Sequence, residues 1–213
     1  MNEPARILIA DDHQLLADAC KALLEPEFIV VGTVTNGRHV AVAAAELNPD
    51  IVLLEVYMPR LNGLDAGEQI RENNPRIKLV FMTTTPAADV AAEAFRRGAS
   101  GYVSKKSAGT ELLRAVRTVA QGKCYLSPLF AKDTVTSLLY TKNAYGEEKR
   151  ITRRQTEVLQ LLAEGMSMKQ VASEIDVKPG TVAFHKYRMM EILNITSNAE
   201  LLGYALKRQM IQS

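Results

Sequence analysis

Five side chains set the chemistry this sequence can do: Asp11 and Asp12 in "ILIADDH", Glu55 in "DIVLLEVYMP", Thr83 in "FMTTT" and Lys105 in "GYVSKKS". Each closes or follows a short apolar run. Three carboxylates gathered at one place repel, and their proton affinity rises unless a cation lies among them. A hard divalent ion such as Mg²⁺, which takes oxygen ligands and keeps several waters, resolves that conflict. An ammonium and a hydroxyl beside such an ion suit phosphoryl chemistry: Lys105 neutralises charge on a transferred phosphoryl, and Thr83 donates a hydrogen bond to it. Singly, each residue has an ordinary explanation. The two aspartates could cap the next helix, Thr83 suits a strand, and Lys105 suits a surface. The conjunction of the right polar types at four separate strand ends points to a site.

The elements that must position these groups are legible as apolar runs alternating with helical patterns. "RILIA" precedes a helix over 13–25, "FIVVGTV" one over 37–47, "DIVLLE" one over 63–73, "IKLVFM" one over 87–97, and "GYVS" one over 109–121. Strands so uniformly apolar are covered on both faces, and strands separated by helices run parallel. The spacing therefore predicts a five-stranded parallel sheet with helices on each side. In the flavodoxin-like order 2-1-3-4-5, the carboxyl ends of strands one, three and four are neighbours, with strand five beside four. Cys20 falls in the apolar series Leu16, Ala19, Cys20, Leu23, Leu24, the stripe of one amphipathic helix.

The pattern then changes. Residues 125–140 read as one more helix after Ser127-Pro128, and "TKNAYGEEKR" (141–150) has almost nothing to bury, so it reads as a linker able to span about 30 Å. From 151 onward only helices are predicted. Thr152 with Gln155, Ser167 with Gln170, and Ser197 with Glu200 are candidate capping boxes. Gly165 suits a left-handed helix end, and Pro179 the first turn of a longer helix. Short helix, break at "DVK", longer helix is the helix-turn-helix arrangement. The domain boundaries expected are 1–124, 125–150 for the linker helix and linker, and 151–213.

Composition is compatible with a folded, two-domain chain. Of 213 residues 47% are apolar, and 26 basic against 24 acidic side chains leave a net charge of only +2, so charge must be read locally. No apolar run reaches the roughly 18 residues of a membrane helix, and the N-terminus lacks a signal-peptide pattern, so the expected location is cytoplasmic. Two cysteines and three histidines share no metal-ligand spacing. There is no Gly-rich nucleotide loop and no Ser-His-Asp set, so an enzyme is not expected.

"ILIADDH", "DIVLLEVYMPRLNGLDA", "FMTTT" and "RRGASGYVSKKS" resemble the receiver domain of two-component response regulators. "ITRRQTEVLQLLAEGMSMKQVASEIDVKPGTVAFHKYRMMEIL" resembles the LuxR-type DNA-binding domain. Together they are similar to the NarL/FixJ class of response-regulator transcription factors, over nearly the whole chain. The resemblance implies a flavodoxin-like receiver followed by an all-α LuxR-type helix-turn-helix domain, and a sensor histidine kinase, double-stranded DNA and a second copy of the chain as partners. It also implies Mg²⁺ held by Asp11, Asp12, residue 55 and the Tyr57 carbonyl, a switch pair of Thr83 and Tyr102, and a phosphoryl contact from Lys105.

Glu55 departs from the family, whose phosphoacceptor at this position is aspartate. One extra methylene displaces the carboxylate by roughly 1 Å, and an error of that size costs about a hundredfold where in-line geometry is required. Phosphotransfer is expected to be poor. Two readings follow. In one, Glu55 imitates the phosphorylated state by pairing with Lys105, though with one charge and two oxygens against nearly two charges and three. In the other it fills the site without switching anything, leaving a phosphorylation-independent receiver that serves as a dimerisation and protein-interaction module.

In the helical part, Val182, Met189 and Leu193 form the predicted inward stripe of the longer helix. Ala183, Phe184, Tyr187 and Arg188 then face outward with Lys186 at the margin, as a helix in the major groove requires. Lys169, Gln170, Lys178 and Thr181 complete the candidate DNA-binding set. Lys178 and Gly180 replace residues usual in the family, weakening the cap and removing one cationic contact. The last helix carries Leu201, Leu202, Ala205 and Leu206, which either pair with a second copy or close the domain core.

Overall fold

The structure is a computed structural model that describes residues 3–84, 87–106, 109–140, 151–208, 210 and 211. The chain divides into two compact units, Met1–Ala144 and Tyr145–Ser213. The expected linker, 141–150, lies outside the described residues.

In the first unit β1 (Arg6–Ala10), α1 (Gln14–Leu24), β2 (Ile29–Val34), α2 (Gly37–Leu47), β3 (Ile51–Glu55) and α3 (Gly63–Asn73) are followed by β4 (Lys78–Thr83), α4 (Ala88–Arg96), β5 (Gly101–Ser104) and α5 (Gly109–Ala120). These strands pair in parallel in the order β2-β1-β3-β4-β5. Side chains alternate along each strand. Leu8, Val52, Leu54, Leu79 and Phe81 pack with α2, α3 and α4. Ile7, Ile9, Ile51, Leu53, Val80 and Met82 pack with α1 and α5 on the other face. Both faces being covered explains why these strands carry no polar alternation.

Beyond the five expected strands lies a sixth, β6 (Tyr125–Leu126), parallel to β5. Two residues are too few to carry a periodicity, so the sequence reads there only as the approach to a helix. That helix, α6 (Ala131–Tyr140), packs on α4, and Phe130 meets the Tyr102 ring edge-on at 5.5 Å between centroids. Residues 125–140 are thus part of the first unit. On α1 the buried stripe is Ala17, Cys20 and Leu24, with Leu16 and Leu23 half-buried; Ala19, expected inward, is exposed, because Ala17 shares the face of Cys20 and Leu24.

The second unit holds α7 (Arg153–Ala163), α8 (Met168–Glu174), α9 (Pro179–Leu193) and α10 (Asn198–Lys207) around one core. Thr152 and Ser167 form full capping boxes with Gln155 and Gln170. At the third start, Ser197 accepts the Glu200 amide, but the Glu200 carboxylate reaches one residue further back and accepts the Thr196 N–H at 2.8 Å. Gly165 has φ 90°, the left-handed end expected of it. The turn between α8 and α9 passes through Asp176 at φ 51° and is tied down by Arg154, whose guanidinium donates to the Ile175 carbonyl at 2.8 Å. In α9 the buried residues are Val182, Met189 and Met190. Leu193, expected in that stripe, ends the helix and is only half-buried.

Candidate functional site

The acidic site forms where β1, β3, β4 and β5 end. Asp11 leaves β1 fully buried, with its amide still bonded to the Val34 carbonyl at 2.9 Å. Glu55 is the last residue of β3. It is held in place by a close approach of backbone: a Cβ on Gly63 would stand 2.0 Å from the Glu55 carbonyl oxygen. Only glycine lets α3 start so near the strand, where the Gly63 N–H donates to the Val56 carbonyl at 2.7 Å. Lys105 follows β5, its amide bonded to the Thr83 carbonyl at 2.7 Å.

The Lys105 ammonium lies between the two buried carboxylates. It is 2.7 Å from Asp11 Oδ2 and in contact with Glu55 Oε2, with only 3% of the lysine side chain exposed. Glu55 Oε1 accepts the Tyr57 N–H at 3.0 Å, so both carboxylate oxygens are engaged. Burial pushes the Glu55 carboxyl above its usual range, opposed by Lys105 and the Tyr57 amide. Burial also works against the Lys105 charge, but Glu55 and Asp11 outweigh it and the net shift is upward. A buried cation between two anions reproduces, with protein atoms, the charge balance that three converging carboxylates demand.

Asp11, Asp12 and His13 bring ligand atoms within 4.8 Å of one another. His13 was not among the sequence candidates. Its ring Nδ1 lies 3.1 Å from Asp12 Oδ1, and its amide donates to Asp11 Oδ1 at 3.0 Å. The only signal was its place directly after the two acids. The hard carboxylates of Asp11 and Asp12 fit Mg²⁺, which is commonly held by one or two carboxylates and keeps several waters. When bound, such an ion would neutralise phosphoryl charge. Glu55, expected in the metal site, does not join that group of ligand atoms, and its Oε1 accepts the Tyr57 N–H.

Thr83 and Tyr102 are both buried, on neighbouring strands β4 and β5. Burial, with Tyr57 and Glu55 adding and Thr83 opposing, pushes the Tyr102 phenol upward. Cys20, beneath the site on α1, is pushed up to about 11 by burial, with Asp11 adding and Lys105 opposing. It is an inert packed thiol, as its place in an apolar stripe implies.

In the second unit Lys169, Gln170, Lys178, Thr181, Phe184, Tyr187 and Arg188 are exposed, while Ala183 and Lys186 are partly so. Phe184 and Tyr187 are 64% and 61% exposed, one helical turn apart. Gln170 is also committed to its capping box, and Lys178 precedes α9 without capping it by a side-chain bond. The Lys186 ammonium lies 5.6 Å from the centre of the Tyr187 ring, and Arg188 is ion-paired to Glu191. On α10, Leu201 and Ala205 are buried, whereas Leu202 and Leu206 are exposed one turn apart. The apolar surface of that helix is split between core and solvent. No helix among the described residues is long and apolar enough to cross a membrane.

Residues 7–117 match the response regulator receiver domain family. Residues 149–205 match the bacterial regulatory proteins of the luxR family. Over 201 residues the chain is 31% identical to the nitrate/nitrite response regulator protein NarL of Escherichia coli (strain K12), with 93% of each covered. A two-component response regulator of the LuxR family from Aurantimonas sp. SI85-9A1 superposes with a TM-score of 0.61 at 29% identity, covering 64% of this chain and 99% of that one. A structure of two RcsB dimers bound to two parallel DNAs shares the fold, with a TM-score of 0.58 at 21% identity over 96% of this chain and 98% of that one.

Proposed function

Since the chain belongs to the two-component response regulators that join a receiver domain to a LuxR-type DNA-binding domain and regulate transcription, we propose that it does so as a phosphorylation-independent dimer. In this reading Glu55 stands permanently where an acyl phosphate would otherwise form. The observation that carries it is the Glu55–Lys105 ion pair, reinforced by the Tyr57 N–H. An ammonium and a backbone amide are the donors a phosphoryl oxygen needs, and the carboxylate already holds both.

The same pair disfavours phosphotransfer. To attack a phosphorus centre, Glu55 must give up a buried ion pair and a hydrogen bond, and its longer arm misplaces the nucleophile. A sensor kinase that serves this family's aspartates finds a poor acceptor here. Asp11 and Asp12 would hold Mg²⁺, Thr83 and Tyr102 are the pair that would couple the site to the β4 and β5 side of the sheet, and the chain acts by binding rather than by turning over a substrate.

The output is DNA binding through α9, whose exposed face would enter the major groove while basic residues at its borders meet phosphates. One such module buries too little surface for specificity at physiological salt, so a dimer on two half-sites is the working unit. Leu202 and Leu206 on α10 supply an apolar strip for that pairing. The place of work is the cytosol, where the DNA is. Incubation with acetyl phosphate and Mg²⁺ followed by intact-mass measurement tests the receiver half. Unmodified protein is expected, and a stoichiometric adduct of about 80 Da would overturn the reading.

A further inference from the structure

Apart from the exposed Thr181 hydroxyl and the half-buried His185 ring, the outward face of α9 is short of hydrogen-bond donors suited to a base edge. Guanine is read by a bidentate Arg or Lys, and adenine by Asn or Gln. None of these four residue types lies in the first two turns, residues 179–185. Arg188 is ion-paired to Glu191 in the following turn. Lys186 leans over the Tyr187 ring. Lys178 precedes the helix at its N-terminus, where a phosphate is the natural partner. What the face does present is carbon: the Phe184 and Tyr187 rings, more than 60% exposed, flanked by the Ala183 methyl.

Gly180 adds an independent observation. A Cβ there would meet nothing within 4 Å, so no packing inside the protein requires glycine. Glycine within a helix is disfavoured relative to alanine. Its position one turn before Phe184, on the same face, thins the helix where it would approach a groove floor.

The only methyl group a base presents in the major groove is at C5 of thymine. We infer that α9 reads its site through thymine C5 methyls packed against Phe184 and Tyr187, so that the recognised half-sites are defined by thymines and not by guanine contacts. This rests on the reading of α9 as the groove-binding helix, and deepens it by naming what the helix recognises. Phosphate contacts from the flanking basic residues set strength without sequence, and the aromatic pair sets register on the duplex.

The test starts from duplexes selected by the full-length chain out of a random library. Each thymine of the best half-site is then replaced singly by deoxyuridine, which removes one methyl and leaves every hydrogen-bonding group in place. Burying one methyl contributes about 0.8 kcal/mol, so affinity should fall about fourfold at each contacted thymine. Phe184→Ala should abolish that difference at the thymines its ring covers and leave it at those under Tyr187, and Phe184→Leu should keep part of it. Phe184 is largely exposed, so neither change empties the core; matching thermal melts check this. Salt-dependent, sequence-selective binding that ignores the thymine methyls would overturn the inference and leave the DNA-binding reading standing. Absence of duplex binding at any salt would overturn both. If Phe184→Ala abolished self-association and left DNA affinity unchanged, the face would belong to a second copy of the chain.

Discussion

Replacing Lys105 with methionine tests the charge arrangement at the acidic site. The ammonium is almost entirely buried and touches Asp11 and Glu55, both buried as well. Methionine keeps much of the volume and removes the charge that compensates two carboxylates. Breaking a buried pair by removing one partner costs about 3–5 kcal/mol, because the partner is left as an uncompensated buried charge. With a urea slope of about 2 kcal/mol per molar, the unfolding midpoint of the first unit should drop by about 2 M. A second change, Glu55→Gln, removes one of the stranded charges, so the double variant should regain roughly half of the loss; Asp11 still lacks its cation. Urea titrations followed by circular dichroism, with the two units fitted separately, supply the double-mutant cycle. A loss below about 1 kcal/mol, the scale of an exposed ion pair, together with strict additivity of the two changes, would refute the argument.

Three further outcomes are expected. Gly63→Ala forces a methyl into the Glu55 carbonyl and should destabilise the first unit by about 1–3 kcal/mol, measured by the same titration, whereas Gly122→Ala, with open space but φ 82°, should lose less. Arg188→Ala should weaken binding to every duplex alike and reduce the slope of log affinity against log salt by about one, read from gel shifts over a salt series. Glu93 on α4 is raised by burial but held below its usual range overall by Arg97 and Arg96. Its stabilisation is therefore present above pH 4.5, the ordinary value, and is lost as pH falls through the lowered folded value. Arg97→Met should flatten that acid-side dependence in pH-dependent melts, and an unchanged slope would count against the pairing.

The parallel sheet and the helices on both faces were readable because strands covered on two sides are apolar throughout and their spacing forces parallel connections, whereas the strand order was supplied by the flavodoxin-like arrangement. The helix starts were equally plain where a hydroxyl residue and a Gln could bond reciprocally, as at Thr152 and Ser167. At the third start the Glu200 carboxylate accepts the Thr196 N–H instead of closing the box on Ser197. The strand β6 is too short to have a period, and its pairing with β5 is a tertiary event that no local pattern announces. At the acidic site, residue types at strand ends located Asp11, Glu55, Thr83 and Lys105. The Glu55–Lys105 pairing was one of the two readings of the sequence; what sequence could not supply was that Lys105 also reaches Asp11, and that His13 shares the cluster with Asp11 and Asp12. Likewise the exposure of Phe184 followed from helical period, but the pairing of Arg188 with Glu191 depended on which rotamers meet.

The most direct test of the central claim is duplex affinity measured for the chain and for Glu55→Asp, each with and without acetyl phosphate and Mg²⁺. A receiver fixed by the Glu55–Lys105 pair predicts tight binding by the parent chain that acetyl phosphate leaves unchanged. It also predicts weak binding by Glu55→Asp that acetyl phosphate restores. Acetyl phosphate strengthening the parent chain, or Glu55→Asp binding as tightly as the parent without it, would contradict the account.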